Sequence, residues 1–335
     1  MSSYRIEEFT GPSGLKRVDS APQKPGPNDV VIRLRASSLN FRDGMIINGF
    51  FGNWVQPGIV PLSDGAGDVV EVGEKVTRCK VGDRVMPIFN PRWIGGKRPR
   101  TSMLGLGGDT DGTLRDFITA NEEAITPIPE HLSYEEAASL PCAAVTAWCA
   151  LVQEFPLLAG ETVLTLGTGG VSIFALQFAK LFGARVISTT SSDEKAERLR
   201  SLGADEVINY KATPDWDKEV MKITGGLGAD VIVEVGGAGT LSKSFHSAHA
   251  DTRIAIVGLL AGPSGGEGFD FLGWIAKTYR TGTGSRQHFE EMNRAISYHK
   301  LKPVVDRVFG FDEAREAYDY FNAQKHFGKV VIRHD

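Results

Sequence analysis

The residues of this chain best suited to chemistry run from Val163 to Ser172, Val-Leu-Thr-Leu-Gly-Thr-Gly-Gly-Val-Ser. A β-forming stretch, 163–166, leads into Gly167, Thr168, Gly169, Gly170 and Val171, and a helix-patterned segment, Ile173-Phe-Ala-Leu-Gln-Phe-Ala-Lys180, follows. A strand, a glycine turn and a helix N-terminus gather backbone N–H groups where a phosphate can sit, so this pattern predicts a bound dinucleotide. Gly167 permits the tight turn and Gly169 admits a pyrophosphate, while Ser172 fills the third fingerprint position, small but not glycine. The alternative is a tight turn in an α/β protein without nucleotide, and the further β–α alternations around it argue against that. The next strand, 185–190, ends at Thr190, where NAD-preferring sites place an acid for the ribose 2′-hydroxyl. Here Thr190, Ser191, Ser192 and, one turn on, Lys195 offer hydroxyls and a cation suited to a 2′-phosphate, which favours NADPH over NADH. Asp193 and Glu194 lie close by, and Ser192-Asp193 also reads as a helix cap with Lys195 a solvated residue.

These residues need a scaffold, and the chain changes rhythm to provide one. Up to Ile128 it is β-rich: 29–35 alternates with period 2, and 67–73 and 83–88 are short strands punctuated by Gly, Pro and Asp, as in a small bent antiparallel barrel. Pro91 to Gly112 is a long, glycine-rich loop. From Pro129 a helix opens on a capping box, Ser133 to Glu136. Strands at 163–166, 185–190, 206–209, 230–235, 253–257 and 279–283 then alternate with helices near 171–182, 193–202, 215–224, 239–248 and 269–277. Apolar strands alternating with helices predict a doubly wound parallel sheet. The tail, with the segment Val304-Val-Asp-Arg-Val-Phe309, a helix at 312–321 and a strand at 329–333, is expected to return to the first domain. The division is therefore 1–128 completed by 300–335, and 129–299.

Bulk composition narrows the function classes. The chain has 335 residues, 41% hydrophobic and 23% charged, with a net charge of −4, so neither nucleic acid nor an anionic membrane is the expected partner. Charges at Arg5, Glu7 and Glu8 stand where a signal peptide needs an apolar core, and the apolar run near Ile173 is broken by Lys180 and Arg185. Cys79, Cys142 and Cys149 make neither a disulfide framework nor a Cys-x-x-Cys metal site, as in a reduced cytoplasmic protein. His246, His249 and His299 read as surface helix residues without metal spacing.

Several segments taken in order resemble the medium-chain dehydrogenase/reductase superfamily, in its zinc-independent quinone-oxidoreductase-like branch. They are Ser38-Leu-Asn-Phe-Arg-Asp43, Pro61-Leu-Ser-Asp-Gly-Ala-Gly67, Val81-Gly-Asp-Arg-Val85, Leu140-Pro-Cys-Ala-Ala-Val-Thr-Ala-Trp148, the glycine turn, Gly203-Ala-Asp-Glu-Val-Ile-Asn-Tyr210 and Phe327-Gly-Lys-Val-Val-Ile332. The resemblance covers nearly the whole chain. It implies an α/β protein made of a GroES-like β-barrel domain and a Rossmann domain, with the active site in the cleft between them, and a homodimer joined through edge strands near 279–284.

The resemblance also frames the metal question. Zinc-dependent relatives supply a Cys, a His-Glu pair and a second Cys or Asp; at those places this chain carries Asn40, Ser63-Asp64 and Cys142. A catalytic zinc needs three N, S or carboxylate ligands and an open position, and the cysteine-free loop 91–112 lacks the structural zinc lobe of relatives. No metal is expected, and Cys142 reads as a buried small side chain at a helix start. Without a Lewis acid the favoured acceptors are quinones or alkenes conjugated to a carbonyl.

Asn40 is the candidate catalytic hydrogen-bond donor, with a turn-fixing role as its alternative. Met45 stands nearest to where some relatives carry a tyrosine proton donor, and Arg42 and Asp43 are expected to pair structurally. Met45, Phe50, Phe51, Trp54, Trp93, Leu259 and Leu260 lie on segments that flank the pocket in the family and imply a small hydrophobic substrate, though core packing is the commoner fate of such residues. Cofactor contacts implied by the resemblance are Thr146, Tyr210, Gly258, Leu259, Gly284, Ser285, Arg286, Phe327 and Lys329, besides Lys195 and the glycine turn. For Arg286 a helix N-terminal surface position is the alternative, and for Lys329 an edge-strand charge. The expected function is NADPH-dependent, zinc-independent hydride transfer to a quinone or an activated alkene. The alternatives are an NAD(P)-dependent alcohol dehydrogenase with a weak metal site at Cys142 and Asp64, and a nucleotide-binding protein without significant turnover.

Overall fold

A computed structural model describes residues 1–21, 24–100, 104–258 and 276–334. The chain divides into two compact units, Met1–Val145 with Thr283–Asp335, and Thr146–Gly282.

In the first unit β1 (Ser2–Ile6) pairs antiparallel with β2 (Leu15–Asp19). The long strand β3 (Asp29–Ser38) follows, then α1 (Phe41–Ile47), β4 (Asp64–Val72), β5 (Arg84–Pro87), β6 (Phe117–Asn121), β7 (Ile125–Pro127) and the short α2 (Tyr134–Ala138). β3 is apolar on its inner face, where Val30, Ile32 and Leu34 are buried with Val69, Val85 and Ile118. Its pairing with β4 shifts register twice, between Val31 and Ile32 and between Leu34 and Ala36. Such bulges bend a strand, and here the bent strand serves two partners, β6 along 29–33 and the chain's last strand along 36–38. This is the GroES-like barrel.

The second unit begins with α3 (Val145–Val152) and continues through β8 (Thr162–Thr165), α4 (Gly170–Leu181), β9 (Arg185–Thr190), α5 (Asp193–Ser201), β10 (Glu206–Asn209), α6 (Trp216–Ile223), β11 (Ala229–Glu234), α7 (Leu241–His246), β12 (Ala248–Ile256) and β13 (Lys277–Arg280). Its sheet runs β10-β9-β8-β11-β12-β13, all parallel. The order reverses between β8 and β11, and a doubly wound sheet binds ligand at the carboxyl ends of its strands at that reversal. Leu164, Ile187, Ile232 and Ile254 from four strands pack with Trp216 and Val220 of α6.

The tail carries α8 (Arg286–His299), β14 (Val305–Gly310), α9 (Ala314–Asn322) and β15 (Lys329–Arg333). β15 lies between β14 and β3, and buries Val330 and Ile332 with Phe309, Tyr318 and Phe321.

The division differs from the one read in the sequence, 129–299 for the Rossmann domain. Residues 129–145 and 283–299 cluster with the barrel unit. The Ser133–Glu136 capping box forms, but the Tyr134 hydroxyl of α2 bonds Asp68 on β4. Likewise the Arg286 N–H of α8 donates to Trp93 O at 3.0 Å, and Asn293 Nδ2 to Pro127 O at 3.3 Å. Helical periodicity shows where these helices are, not which layer covers them. His249, expected on a helix, lies on β12 and contacts Asp230 Oδ1 at 3.2 Å. The expected helix at 269–277 falls almost wholly outside the described residues, as do Leu259 and Leu260. Among the described residues no helix is long and apolar enough to cross a membrane.

Candidate functional site

Each unit carries one concentration of candidate residues. In the second unit, β8 delivers the chain into the turn Leu166–Gly169. Gly167 takes φ +73°, a left-handed conformation that would strain any residue with a Cβ. The turn is pinned on both sides, by Gly167 N–H donating to Thr189 Oγ1 at 3.2 Å and by Ser172 Oγ donating to Leu166 O at 2.6 Å. The serine in the third fingerprint position thus closes the turn from below. A Cβ built on Gly167 or Gly169 meets no atom within 4 Å. The space over the turn is therefore open while α4 begins at Gly170 with its first amides pointing into it.

Beside it, β9 ends at Thr190, fully buried, whose Oγ1 has no hydrogen-bond partner among the described residues. Tyr210 is held next to it, its N–H donating to Thr190 O at 2.9 Å. Ser192 caps α5, its Oγ accepting from Lys195 N–H at 3.3 Å, so part of its hydroxyl capacity is used by the fold. Asp193, the nearest acid, accepts from Asn209 Nδ2 at 2.8 Å. An open glycine cradle and an orphaned buried hydroxyl one strand away fit a dinucleotide.

A residue the sequence reading missed organises the other side of the reversal. Glu234, at the end of β11 and fully buried, accepts from Gly236 N–H at 2.7 Å, Gly237 N–H at 2.9 Å and Thr240 Oγ1 at 2.6 Å, and from the Ser244 hydroxyl. It folds the loop after β11 onto the start of α7. Gly258, an expected cofactor contact, sits against this loop so closely that a Cβ would meet Val235 O at 1.8 Å. The only hint in the sequence was an acid ending an apolar strand before Gly236-Gly237.

The first unit holds the second concentration. Asn40 precedes α1 with extended φ and ψ, and its N–H donates to Asp43 Oδ2 at 2.8 Å. Its side chain does not cap the helix. Oδ1 accepts from Lys329 Nζ at 2.6 Å, and Nδ2 lies 3.5 Å from Ser63 Oγ. Ser63 Oγ donates to Asp64 Oδ1 at 2.8 Å, and Ser38 Oγ, which donates to Ala138 O at 2.9 Å, stands 3.2 Å from Asp64 Oδ2. Lys329, 2% exposed, completes the cluster with Leu39 O at 2.7 Å and Asp64 Oδ2 at 3.4 Å. Lys329 was expected at the cofactor. Its side chain points inward: β15 lies antiparallel on β3, Val331 opposite Ser38, and the ammonium sits among Leu39 O, Asn40 Oδ1 and Asp64 Oδ2.

Asp43, buried in the first turn of α1, has its carboxyl raised from 3.8 to about 6, chiefly by desolvation and further by Asp64, against the pull of Arg42 and Lys329. Arg42 pairs with Asp43 at 3.3 Å, as expected, and also donates to Leu104 O at 2.6 Å and Leu106 O at 3.0 Å, so it ties the long loop to α1. Cys142 is half-buried on a π-helical turn, Leu140–Ala144, rather than fully buried at a helix start. Desolvation, then the charge of Asp64, pushes its thiol far up.

The donor set fits zinc poorly. An amide, a hydroxyl, a carboxylate already bonded to Ser63 and Lys329, and a single thiol do not make three good ligands, and an ammonium stands among them. Among the described residues no group of three or more His, Cys, Asp or Glu could hold a metal.

The remaining expected residues scatter. Met45 and Phe51 are half-buried, whereas Trp54 is 69% exposed and Phe50, stacked edge-on to Phe51, is exposed too. Trp93 is buried, donates Nε1–H to Gly96 O at 2.9 Å and meets His288 edge-on. Ser285 caps α8, accepting from His288 N–H at 3.3 Å, and Arg286 is spent on Glu123 and Glu290 in the same unit. Phe327 is fully buried. Arg286, Phe327 and Lys329, expected at the cofactor, are thus engaged within their own unit by ion pairs, packing and hydrogen bonds respectively. Thr146 is buried on α3.

Comparison with known proteins fits this architecture. The family model of the alcohol dehydrogenase GroES-like domain matches residues 26–130, and that of the zinc-binding dehydrogenases matches 170–298. A zinc-type alcohol dehydrogenase-like protein of Schizosaccharomyces pombe is 40% identical over 338 residues, covering 98% of each chain. The chain belongs to the medium-chain dehydrogenase/reductase superfamily. Other members similar to it are a quinone oxidoreductase of Pseudomonas aeruginosa, 31% identical over 91% of this chain and 86% of that one; an NAD-dependent alcohol dehydrogenase of known structure, 34% identical with a TM-score of 0.90 over 99% of both chains; and a mycobacterial protein solved in complex with NADPH, 26% identical with a TM-score of 0.81 over 99% of both. In this medium-chain family oxidoreductase, Asn40 and Asp64 lie within the matched GroES-like domain, and the glycine turn leads into the matched zinc-binding dehydrogenase segment at residue 170.

Proposed function

We propose that this protein is an NADPH-dependent reductase of quinones or of alkenes conjugated to a carbonyl, working without a catalytic metal. The observation that carries the reading is the buried Lys329–Asn40–Asp64 cluster, where an amide stands at a ligand position and an ammonium lies against it. NADPH supplies a hydride when bound. The chain's own residues do the rest. The open turn at Gly167–Gly169 and the first amides of α4 receive the pyrophosphate. Thr190, with its unpartnered hydroxyl, and Ser191, Ser192, Lys195 and Tyr210 line the place of a 2′-phosphate, where no acid ends β9 to repel it.

Asn40 Nδ2–H donates to the acceptor oxygen as negative charge develops there, a role of the kind whose loss costs about 10²–10³ in rate. An amide does not release a proton, so solvent protonates the reduced product. Quinones and enones suit such a site because delocalisation lets them accept hydride with hydrogen bonding alone. Half-buried Met45 and Phe51 favour a hydrophobic acceptor.

The test is NADPH oxidation by the full chain against a panel of quinones and enones, with metal content measured on the same sample. Turnover that survives chelation, at far less than one zinc per chain, is expected. Stoichiometric zinc with secondary-alcohol oxidation lost on chelation would overturn the proposal. It would favour the second reading, an alcohol dehydrogenase, which the names of the similar Schizosaccharomyces pombe protein and NAD-dependent structure support. Tight NADPH binding without turnover on any acceptor would make the protein a nucleotide-binding one.

A further inference from the structure

An ammonium can only donate hydrogen bonds, whereas a carboxamide donates from one end and accepts at the other. Lys329 Nζ stands 2.6 Å from one end of the Asn40 carboxamide, so that end must be the oxygen, and the choice between oxygen and nitrogen is made by chemistry and not by shape. The nitrogen end has no comparable anchor. Its neighbour Ser63 Oγ is 3.5 Å away and has given its own proton to Asp64 at 2.8 Å. The Asn40 backbone is fixed separately, through Asp43 Oδ2 at 2.8 Å. The side-chain flip is thus the remaining freedom at this residue, and the ammonium is the strong contact that acts on it.

We infer that Lys329 is a positioning residue for the reaction: its ammonium holds the Asn40 carboxamide with the N–H2 group, not the carbonyl, turned toward the acceptor oxygen. The inference rests on the reading of Asn40 as the donor. Flipped, Asn40 would oppose a carbonyl oxygen to the developing oxyanion, turning an attraction into a repulsion. Asp64 holds the ammonium in turn, itself anchored by the Ser63 hydroxyl. In this arrangement a lysine from the last strand sets the donor that a metal-free site needs.

Removing Lys329 alone leaves Asp64 as an unpaired buried carboxylate, which can prevent folding. The variant to make is therefore Lys329→Met/Asp64→Asn, which removes both charges, alongside Asn40→Ala and the triple variant combining all three substitutions. Neutron diffraction of the deuterated full chain reads the flip directly. Deuterium on the Ser63-facing atom and none on the Lys329-facing atom is expected in the wild type, with both orientations populated in the double variant. In kinetics, the double variant should lose kcat by about tenfold or more with KM for NADPH within about twofold, and the triple variant should be no slower than Asn40→Ala.

The inference falls if the wild-type amide is turned the other way, or if the double variant keeps one orientation, since Ser63 would then set it. It also falls if the losses simply multiply in the triple variant. Should Asn40→Ala alone leave kcat unchanged, the donor reading of Asn40 is what fails, while the deuterium positions still decide whether Lys329 sets the flip.

Discussion

Asn40 and Lys195 show how differently two single residues can be read. Lys195 follows the cap of α5, with its N–H on Ser192 Oγ at 3.3 Å, and the helix start alone puts it one turn past Thr190. Lys195→Ala is expected to weaken NADPH by about 1–3 kcal/mol while barely changing NADH, measured by titration of the two cofactors. Equal losses would show that Lys195 does not read the 2′-phosphate. Asn40, by contrast, had two open readings in the sequence, donor or turn residue. Its backbone turned out to be the turn element and its side chain the candidate donor, because Lys329 draws the carboxamide away from the helix.

Asp43 carries a prediction of its own. Its folded value, raised from 3.8 to about 6 by burial, means the native state holds this proton more tightly than the unfolded chain. The penalty of ionising it is therefore absent below about pH 4, grows as pH rises through 4 to 6, and is complete above that window. Asp43→Asn, which keeps an acceptor for Asn40 N–H, should gain on wild type in denaturant stability between pH 4.5 and pH 7.5. A difference between the two proteins that is flat with pH would show that Asp43 titrates normally.

At the scale of elements, the β8–turn–α4 unit is the most legible part of the chain, because everything that shapes it is contiguous. Strand, left-handed Gly167 and helix start follow one another within a dozen residues, and the serine that closes the turn from below is six residues from its partner Leu166. The two glycines separate by their roles. Gly167→Ala should cost about 1–2 kcal/mol of stability through its positive φ. Gly169 has ordinary φ and open space where a Cβ would sit, so Gly169→Ala should leave thermal stability within about 0.5 kcal/mol of wild type yet weaken dinucleotide binding by tenfold or more. Calorimetry and cofactor titration on the same samples check this, and unchanged affinity would mean that nothing closely approaches that position. Glu234 was not legible in the same way. The partners it gathers are close in sequence, but a lone acid ending a strand becomes a loop organiser only once the parallel sheet buries it.

For the whole molecule, the barrel unit is discontinuous and the Rossmann unit is not. A chain ending at Gly282 loses β15, which is flanked by β14 and β3 and buries Val330, Val331 and Ile332 completely. At about 1.5–3 kcal/mol per buried aliphatic side chain, those residues alone rival the total stability of a domain, about 5–15 kcal/mol. Such a chain should lose the cooperative melting and near-UV signal of the barrel unit. A fragment spanning 146–282 should still fold, since its six strands and its core lie within it. A truncated barrel that melts cooperatively would show the tail to be dispensable. What the sequence by itself determined are features written in neighbouring residues: the fold class, the strand–glycine turn–helix unit, and the replacement of familiar ligand types at 40, 63 and 64. Only the tertiary structure decided that helices 134–138 and 286–299 pack with the barrel, that Arg286 and Lys329 turn inward, and that an ammonium meets Asn40 across 289 residues of chain. The physical reason is register: a one-residue slip of β15 on β3 would send Lys329 to the other face of the sheet, and no local pattern around residue 329 records which strand it will face.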